Sequence, residues 1–293
     1  MGKIRRTDLA AERLDLAKIY HGKGRGVNGV SHFRKTIHGI GVHTMTVETD
    51  EAAAVLCKPI GSYYTISLDK LHKRCDDGFT DTAFCIAEIL RSMLPTGNRY
   101  LIICLGNRRI TPDGVGPLCA EHLMVTRHLK NVMPDDFAAF AEVSVVTPGV
   151  LGTTGIESAQ LAKGAADAVR PDGVIVIDSL AACNTQRLCR TIQICNTGIE
   201  PGSGVGNRRF ALNRETLGIP VISIGIPTVV DAETFVSDLL QDDTDLQGRG
   251  EGMFITPREI DTLVSDGAKL IAYGINFALH RGITLEDIDM FIS

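Results

Sequence analysis

The 293-residue sequence predicts an α/β protein, built in three α/β/α layers around a mixed, mostly parallel sheet. Three short apolar runs carry that expectation: YLIICLG from Tyr100, GVIVID at Gly173–Asp178 and PVISIG at Pro220–Gly225. Each has the length and composition of a strand buried on both faces. Helix-patterned segments separate them, and strands alternating with helices imply a sheet covered on both sides.

The elements follow in chain order. Thr7–Ala17 reads as a short charged helix capped by Thr7 or Asp8. HGKGRGVNGVSHF carries Gly22, Gly24, Gly26 and Gly29 among cations and reads as a mobile loop. HTMTVET and SYYTISL alternate as strands do, with EAAAVLCKPIG between them as a helix or turn. A helix is expected over Thr80–Leu94 and another over Pro117–Leu129, with the strand EVSVV (Glu142–Val146) after it. Thr154 and Glu157 have capping-box spacing and should open a helix running through Val169. Asp231 reads as the cap of the AETFV helix. Gln241–Gly252 reads as a flexible polar loop, within a single domain spanning residues 1–293. Thr256-Pro257-Arg258-Glu259 has the residues of a helix start. The helix it would open aligns Ile260, Leu263, Val264, Gly267, Ile271 and Ile275 on one face.

Composition narrows the class. Hydrophobic residues at 44% and charged residues at 22% are a globular balance. A net charge of −5 offers no basic surface for nucleic acid. The N-terminus lacks a signal-peptide core and no apolar run reaches membrane-spanning length, so a cytoplasmic protein is expected. The eight cysteines form no CxxC pair and read as reduced, mostly buried thiols. No zinc motif is present: His32, His38 and His43 fall in a loop and a strand, and His122 and His128 lie six apart. No metal and no cofactor are expected.

Ligands of such sheets gather beyond the C-terminal ends of the strands. Two carboxylates fall there. Asp178 ends GVIVID, and Asp113 lies in the loop after YLIICLG. If the strands are neighbours, the acids share one edge of the sheet. Such a pair can activate water and protonate a leaving amine when their pKa values are split by environment. Each acid also has a structural alternative. Asp113 sits in a Pro-Asp-Gly turn and could cap the next helix, and Asp178 could bond a nearby amide. Gly202, Gly204 and Gly206 could hold an anion, but neither nucleotide-loop spacing is present, and a structural loop bordering the active edge is preferred.

A run of longer matches adds to this. GNRRITPDGVGP, VTRHL (Val125–Leu129), TPGVLGTTGIE (Thr147–Glu157), RPDGVIVID, TIQICNTGIEPGSGVGNRR, GIPTVVDAETF and FITPREID occur in an order that resembles the germination protease family of spore-forming bacteria. The resemblance extends from RTDLAAE (Arg6–Glu12) to FALH near the C-terminus. It implies an endopeptidase that begins the degradation of small acid-soluble spore proteins during germination, in the cytoplasm of the spore core. It implies an atypical aspartic-type mechanism whose acids fall here on Asp113 and Asp178. It also implies a homotetramer, and a zymogen that cleaves off an N-terminal propeptide, which RTDLA would place at residues 1–8, close to Asp8–Leu9. Partners other than the substrate proteins, whether nucleic acid or membrane, are not implied.

Two departures stand out. Asn196 occupies a place where relatives often carry aspartate, so that position is given no catalytic role. The stretch Ile177-Asp178-Ser179-Leu180-Ala181-Ala182-Cys183 lacks the Ser and Arg of the relatives' IDALASR, which bears on the hydrogen bonding of Asp178. LGNRRITPDGVGPLCAEHL is also similar to a segment of hydrogenase-maturation peptidases, which share a phosphorylase/hydrolase-like three-layer fold and place a nickel-sensing acid there. That likeness sets the rival reading, a metal-dependent maturation-type peptidase. A third reading is a non-catalytic binding protein on the same fold.

Overall fold

The three apolar runs do become neighbouring strands. In the computed structural model, which describes residues 6–20, 27–72, 77–202, 210–240, 250 and 252–292, they form the centre of one mixed sheet. In chain order the elements are α1 (Ala10–Tyr20), β1 (Val30–Ile37), β2 (Ile40–Val47), α2 (Asp50–Leu56), β3 (Gly61–Ser67), α3 (Asp69–His72), α4 (Gly78–Met93) and β4 (Arg99–Cys104). Then come α5 (Val115–Ala120), α6 (Arg127–Val132), β5 (Glu142–Val146), α7 (Leu151–Thr154), α8 (Ser158–Val169), β6 (Gly173–Ala182) and β7 (Thr191–Cys195). The chain closes with α9 (Arg214–Leu217), β8 (Val221–Asp231), α10 (Ala232–Leu240), β9 (Phe254–Ile255), α11 (Ile260–Leu279) and α12 (Leu285–Ile292).

The sheet order is β1-β2-β3-β7-β8-β6-β4-β5, with β9 on the end of β8. β5, β4, β6 and β8 pair in parallel. β7 turns antiparallel to β8, and β3, β2 and β1 continue antiparallel, so β3 and β1 return to the direction of the parallel block. Period-two alternation divides the faces. Ile175 and Ile177 of β6 join α4, α5 and α11 in the larger core, whereas Val174 and Val176 face α8. Beyond the α8 face, α1 and α2 cover β2, β3 and β7 through Ala10, Leu14, Leu56, Met45 and Tyr63. Helices therefore flank both faces, as the alternation predicts.

Several sequence expectations are corrected. GVSHF begins a strand rather than ending a loop: β1 pairs with β2 across His38-Gly39, both at positive φ, as a two-residue hairpin requires. The helix expected over Pro117–Leu129 is two short helices. Thr126 breaks it by tying its amide to Val143 O and its hydroxyl to Ala141 O. The Thr154–Glu157 capping box does not form. Thr154 closes a separate turn with Val150 and Ile156, and α8 starts at Ser158 with no side-chain cap. Thr256 likewise does not cap α11, because its hydroxyl is spent on Thr228 O. The first helix starts at Ala10: Asp8 is bonded to Ala181 of β6, and the Thr7 hydroxyl accepts from Leu9 N at 2.9 Å and donates to Glu12. Residues 22–26, 203–209, 241–249 and 251, which carry most of the expected glycine-rich and polar loops, lie outside the described residues.

Candidate active site

β6 does not end at Asp178. It runs on to Ala182, because β8 continues beside it to Asp231 and pairs with it past a bulge at Leu180/Ala181. β4, on the other side of β6, stops at Cys104. The sheet therefore has a step. Asp178 lies just past the end of β4, on the same face as Val176 and Leu180, as a carboxyl set in an apolar row.

The chain leaving β4 fills the step. Leu105 gives one last amide to Ile177 O at 2.8 Å. Gly106 then turns away at φ 117°, and a side chain there would meet Asp113 O at 2.1 Å. That contact marks the closing of the loop. Asn107 N donates to Asp113 O at 2.9 Å, Asp113 N to Ile110 O at 2.8 Å, and Thr228 of β8 binds Pro112 O at 2.6 Å. Asp113 ends a single 3-10 turn (Thr111–Asp113), half-buried, ahead of α5.

A third carboxylate enters from the N-terminus. Asp8 N donates to Ala181 O, and its carboxylate accepts from Ala181 N, both at 2.9 Å. α1 is locked behind it by Glu12, whose buried carboxylate accepts from Cys183 N at 2.7 Å, from Asn184 N at 3.0 Å and from the Thr7 hydroxyl.

These contacts decide the state of Asp178. It is 6% exposed. Burial first, then the negative charges of Asp113 and Asp8, push its carboxyl well above the ordinary aspartate value of 3.8, against one opposing bond from Ser179 N at 2.9 Å. The sequence expectation that both acids share an edge of the sheet is met in space. Asp178 is held towards its protonated form by burial first and then by the charges of Asp113 and Asp8.

A cleft of about 410 Å³ opens beside Gly225 and Leu180, lined also by Asp8, Arg13, Lys58 and Gln193. Lys58 and Gln193 went unnoticed in the sequence. Gln193 is a lone amide in the apolar strand TIQIC, and that was the available signal. Lys58 gave none. Asp231 accepts from Thr234 N at 3.2 Å and so does act as a helix cap. Asn196 accepts from Ser62 N at 2.9 Å, at the far end of β7. Among the described residues no disulfide forms, with Cys57 exposed and the other cysteines buried. Among the described residues, no group of three His, Cys, Asp or Glu side chains is placed to hold a metal ion, and no helix is long and apolar enough to cross a membrane.

Comparison with known proteins adds the following. A family model described as germination protease matches residues 8–249. A germination protease of Clostridium perfringens strain 13 is 39% identical, over 98% of this chain and 99% of its own length. That of Caldanaerobacter subterraneus subsp. tengcongensis is 38% identical over 98% of both chains, and that of Bacillus pumilus is 33% identical over 98% of this chain and 96% of its own. Among solved structures, a [NiFe] hydrogenase maturation protease, HycI, from Thermococcus kodakarensis KOD1 matches at a TM-score of 0.39 and 20% identity, covering 65% of this chain and 98% of its own.

Proposed function

The chain belongs to the germination protease family, and on that premise we propose that it is the endopeptidase that begins the degradation of small acid-soluble spore proteins by a two-aspartate mechanism. Membership itself makes it a peptidase of spore germination. The observation that supports the mechanism is the asymmetry of the acids. Asp178 is buried and biased towards its protonated form, with the charge of Asp113 close by.

In this reading Asp113 is the base. It takes a proton from water as the oxygen attacks the scissile carbonyl carbon. Asp178 is the acid, and gives its proton to the departing amide nitrogen. Separated pKa values allow two chemically identical groups to take opposite roles at one pH.

The same reading makes the N-terminal segment the first substrate. Asp8 of RTDLA is bonded to β6 three residues beyond Asp178, which supports this reading. Self-cleavage at Asp8–Leu9 would free residues 1–8 as a propeptide and leave α1 in place. A homotetramer in the cytoplasm of the spore core completes the proposal, and sedimentation of the processed protein tests its size.

The deciding experiment is cleavage of a purified small acid-soluble spore protein by wild type, Asp113→Asn and Asp178→Asn, each with and without EDTA. Folded variants that still cut would remove the two-aspartate mechanism.

A further inference from the structure

We propose that Lys58 and Gln193 form the oxyanion-binding pair of this enzyme, receiving the carbonyl oxygen of the bond to be cut; the inference rests on the self-cleavage reading above. The carbonyl oxygen of Asp8 belongs to the Asp8–Leu9 peptide bond. It accepts two side-chain hydrogen bonds, from Lys58 Nζ at 2.7 Å and from the Gln193 amide Nε2 at 3.1 Å. Oxyanion sites need donors at such distances, fixed before the reaction begins.

Both donors are fixed. Lys58 lies in the turn after α2, where Cys57 takes a left-handed conformation at φ 51°. Its own amide returns to Ala53 O at 3.1 Å, and the Tyr63 hydroxyl holds Pro59 O at 2.7 Å on its other side. Gln193 is 7% exposed within β7, and its Oε1 is occupied by Ala10 N at 2.6 Å, which aims its Nε2 at Asp8 O.

The register joins Gln193 to the acid. Asp178 of β6 is paired with Gly225 of β8, and Gly225 with Gln193 of β7. The acid and the amide therefore stand in one row, two strand spacings or about 10 Å apart. Between them is the residue type that puts no side chain in the way. Residues 8–10 are bonded to β6 at Ala181, which pairs with Val229 of β8, and to β7 at Gln193, which pairs with Gly225, so the chain crosses β8 obliquely between those two levels.

The step balances as follows. Water oxygen bonds to the Asp8 carbonyl carbon while its proton passes to the Asp113 carboxylate. The C=O π pair moves onto the carbonyl oxygen, where the N–H groups of Lys58 Nζ and the Gln193 amide face the new negative charge. The pair then returns, the Asp8 C–Leu9 N bond breaks, and the nitrogen takes the Asp178 proton. The products are a carboxyl group at Asp8 and an amine at Leu9. In the processed enzyme the same donors would receive the scissile carbonyl of a substrate protein.

The test uses the full chain with Lys58→Met, Lys58→Arg and Gln193→Leu. Processing is followed by intact mass and N-terminal sequencing, turnover on a purified small acid-soluble spore protein, and folding by thermal unfolding. Loss of one such donor should slow processing by about 100-fold or more, and lower kcat on the added protein with KM within about twofold. Lys58→Arg should keep more activity than Lys58→Met. If Lys58→Met does not fold, unchanged rates in the other two variants overturn the assignment. So does a defect confined to KM, because that would mark a binding contact only. Wild type that digests the added protein but is cut away from Asp8–Leu9 also overturns it, while leaving the endopeptidase standing. Wild type that does neither removes the underlying reading and the inference with it.

Discussion

Gly225 stands opposite Asp178 in the parallel pairing of β6 and β8, and a methyl group built on it would fall 2.5 Å from the Asp178 carbonyl oxygen and 2.8 Å from Leu180 Cγ. Both atoms belong to a strand packed on both faces. Gly225→Ala must therefore push β8 away from β6, at a cost of about 1–3 kcal/mol. The same movement displaces Asp178. Denaturant titration should show the lost stability, and activity should fall in protein that remains folded. A midpoint and a turnover rate both equal to wild type would show that the strands can absorb the methyl group.

Asp113→Asn and Asp178→Asn should each lower turnover by about 10³-fold or more, since both proton transfers are needed in one cycle. Activity should survive EDTA. If EDTA abolishes it, a metal ion enters the chemistry and Asp113 becomes a candidate ligand.

The stability of Asp178→Asn should depend on pH in a defined sense. The folded carboxyl has its pKa raised above 3.8, so the unfolded chain gives up that proton first as pH rises. Between 3.8 and the folded value the native state binds more protons, and wild-type stability falls with increasing pH. The asparagine variant lacks this group. It should match or exceed wild type at pH 7, and the difference should shrink towards pH 4. Urea titrations at both pH values measure it. A variant markedly less stable at pH 7 would mean that Asp178 is held as a satisfied anion.

His280 gives the opposite slope. It is 1% exposed, its ring lies 5.3 Å from that of Phe140, and burial pushes its pKa down to about 4. The unfolded value is 6.5, so its contribution is complete above that pH and is lost as pH falls towards 4. The full swing is on the order of 3 kcal/mol. His280→Leu should flatten the acid limb of the stability profile relative to wild type. Two parallel profiles would show that His280 titrates normally.

The sequence placed the parallel strands well, because a strand buried on both faces is uniformly apolar. GVIVID, YLIICLG and PVISIG needed no tertiary information. Their lengths did need it. β6 passes Asp178 only because β8 accompanies it, and that pairing joins residues more than forty apart in sequence. Helix starts were misread at Thr154 and Thr256 for a related reason. Both hydroxyls found carbonyl partners that the local pattern could not reveal. Asp113 and Asp178 were legible as acids near the C-terminal side of the parallel strands, although β6 runs on past Asp178. Lys58 was not, since its bond to Asp8 O joins it to a chain segment fifty residues earlier.

The Asp8–Ala181 pairing can also be seen as a ligand attached to its own receptor. A tethered group occupies its site at an effective concentration of order millimolar, far above what the same peptide would reach in dilute solution. Severing the chain at Asp8–Leu9 would break no contact with β6, only the tether. Departure of residues 1–8 would then be a dissociation, set by dilution and completed by entropy. A freshly cut molecule in a crowded compartment would clear its cleft more slowly than one in a dilute assay.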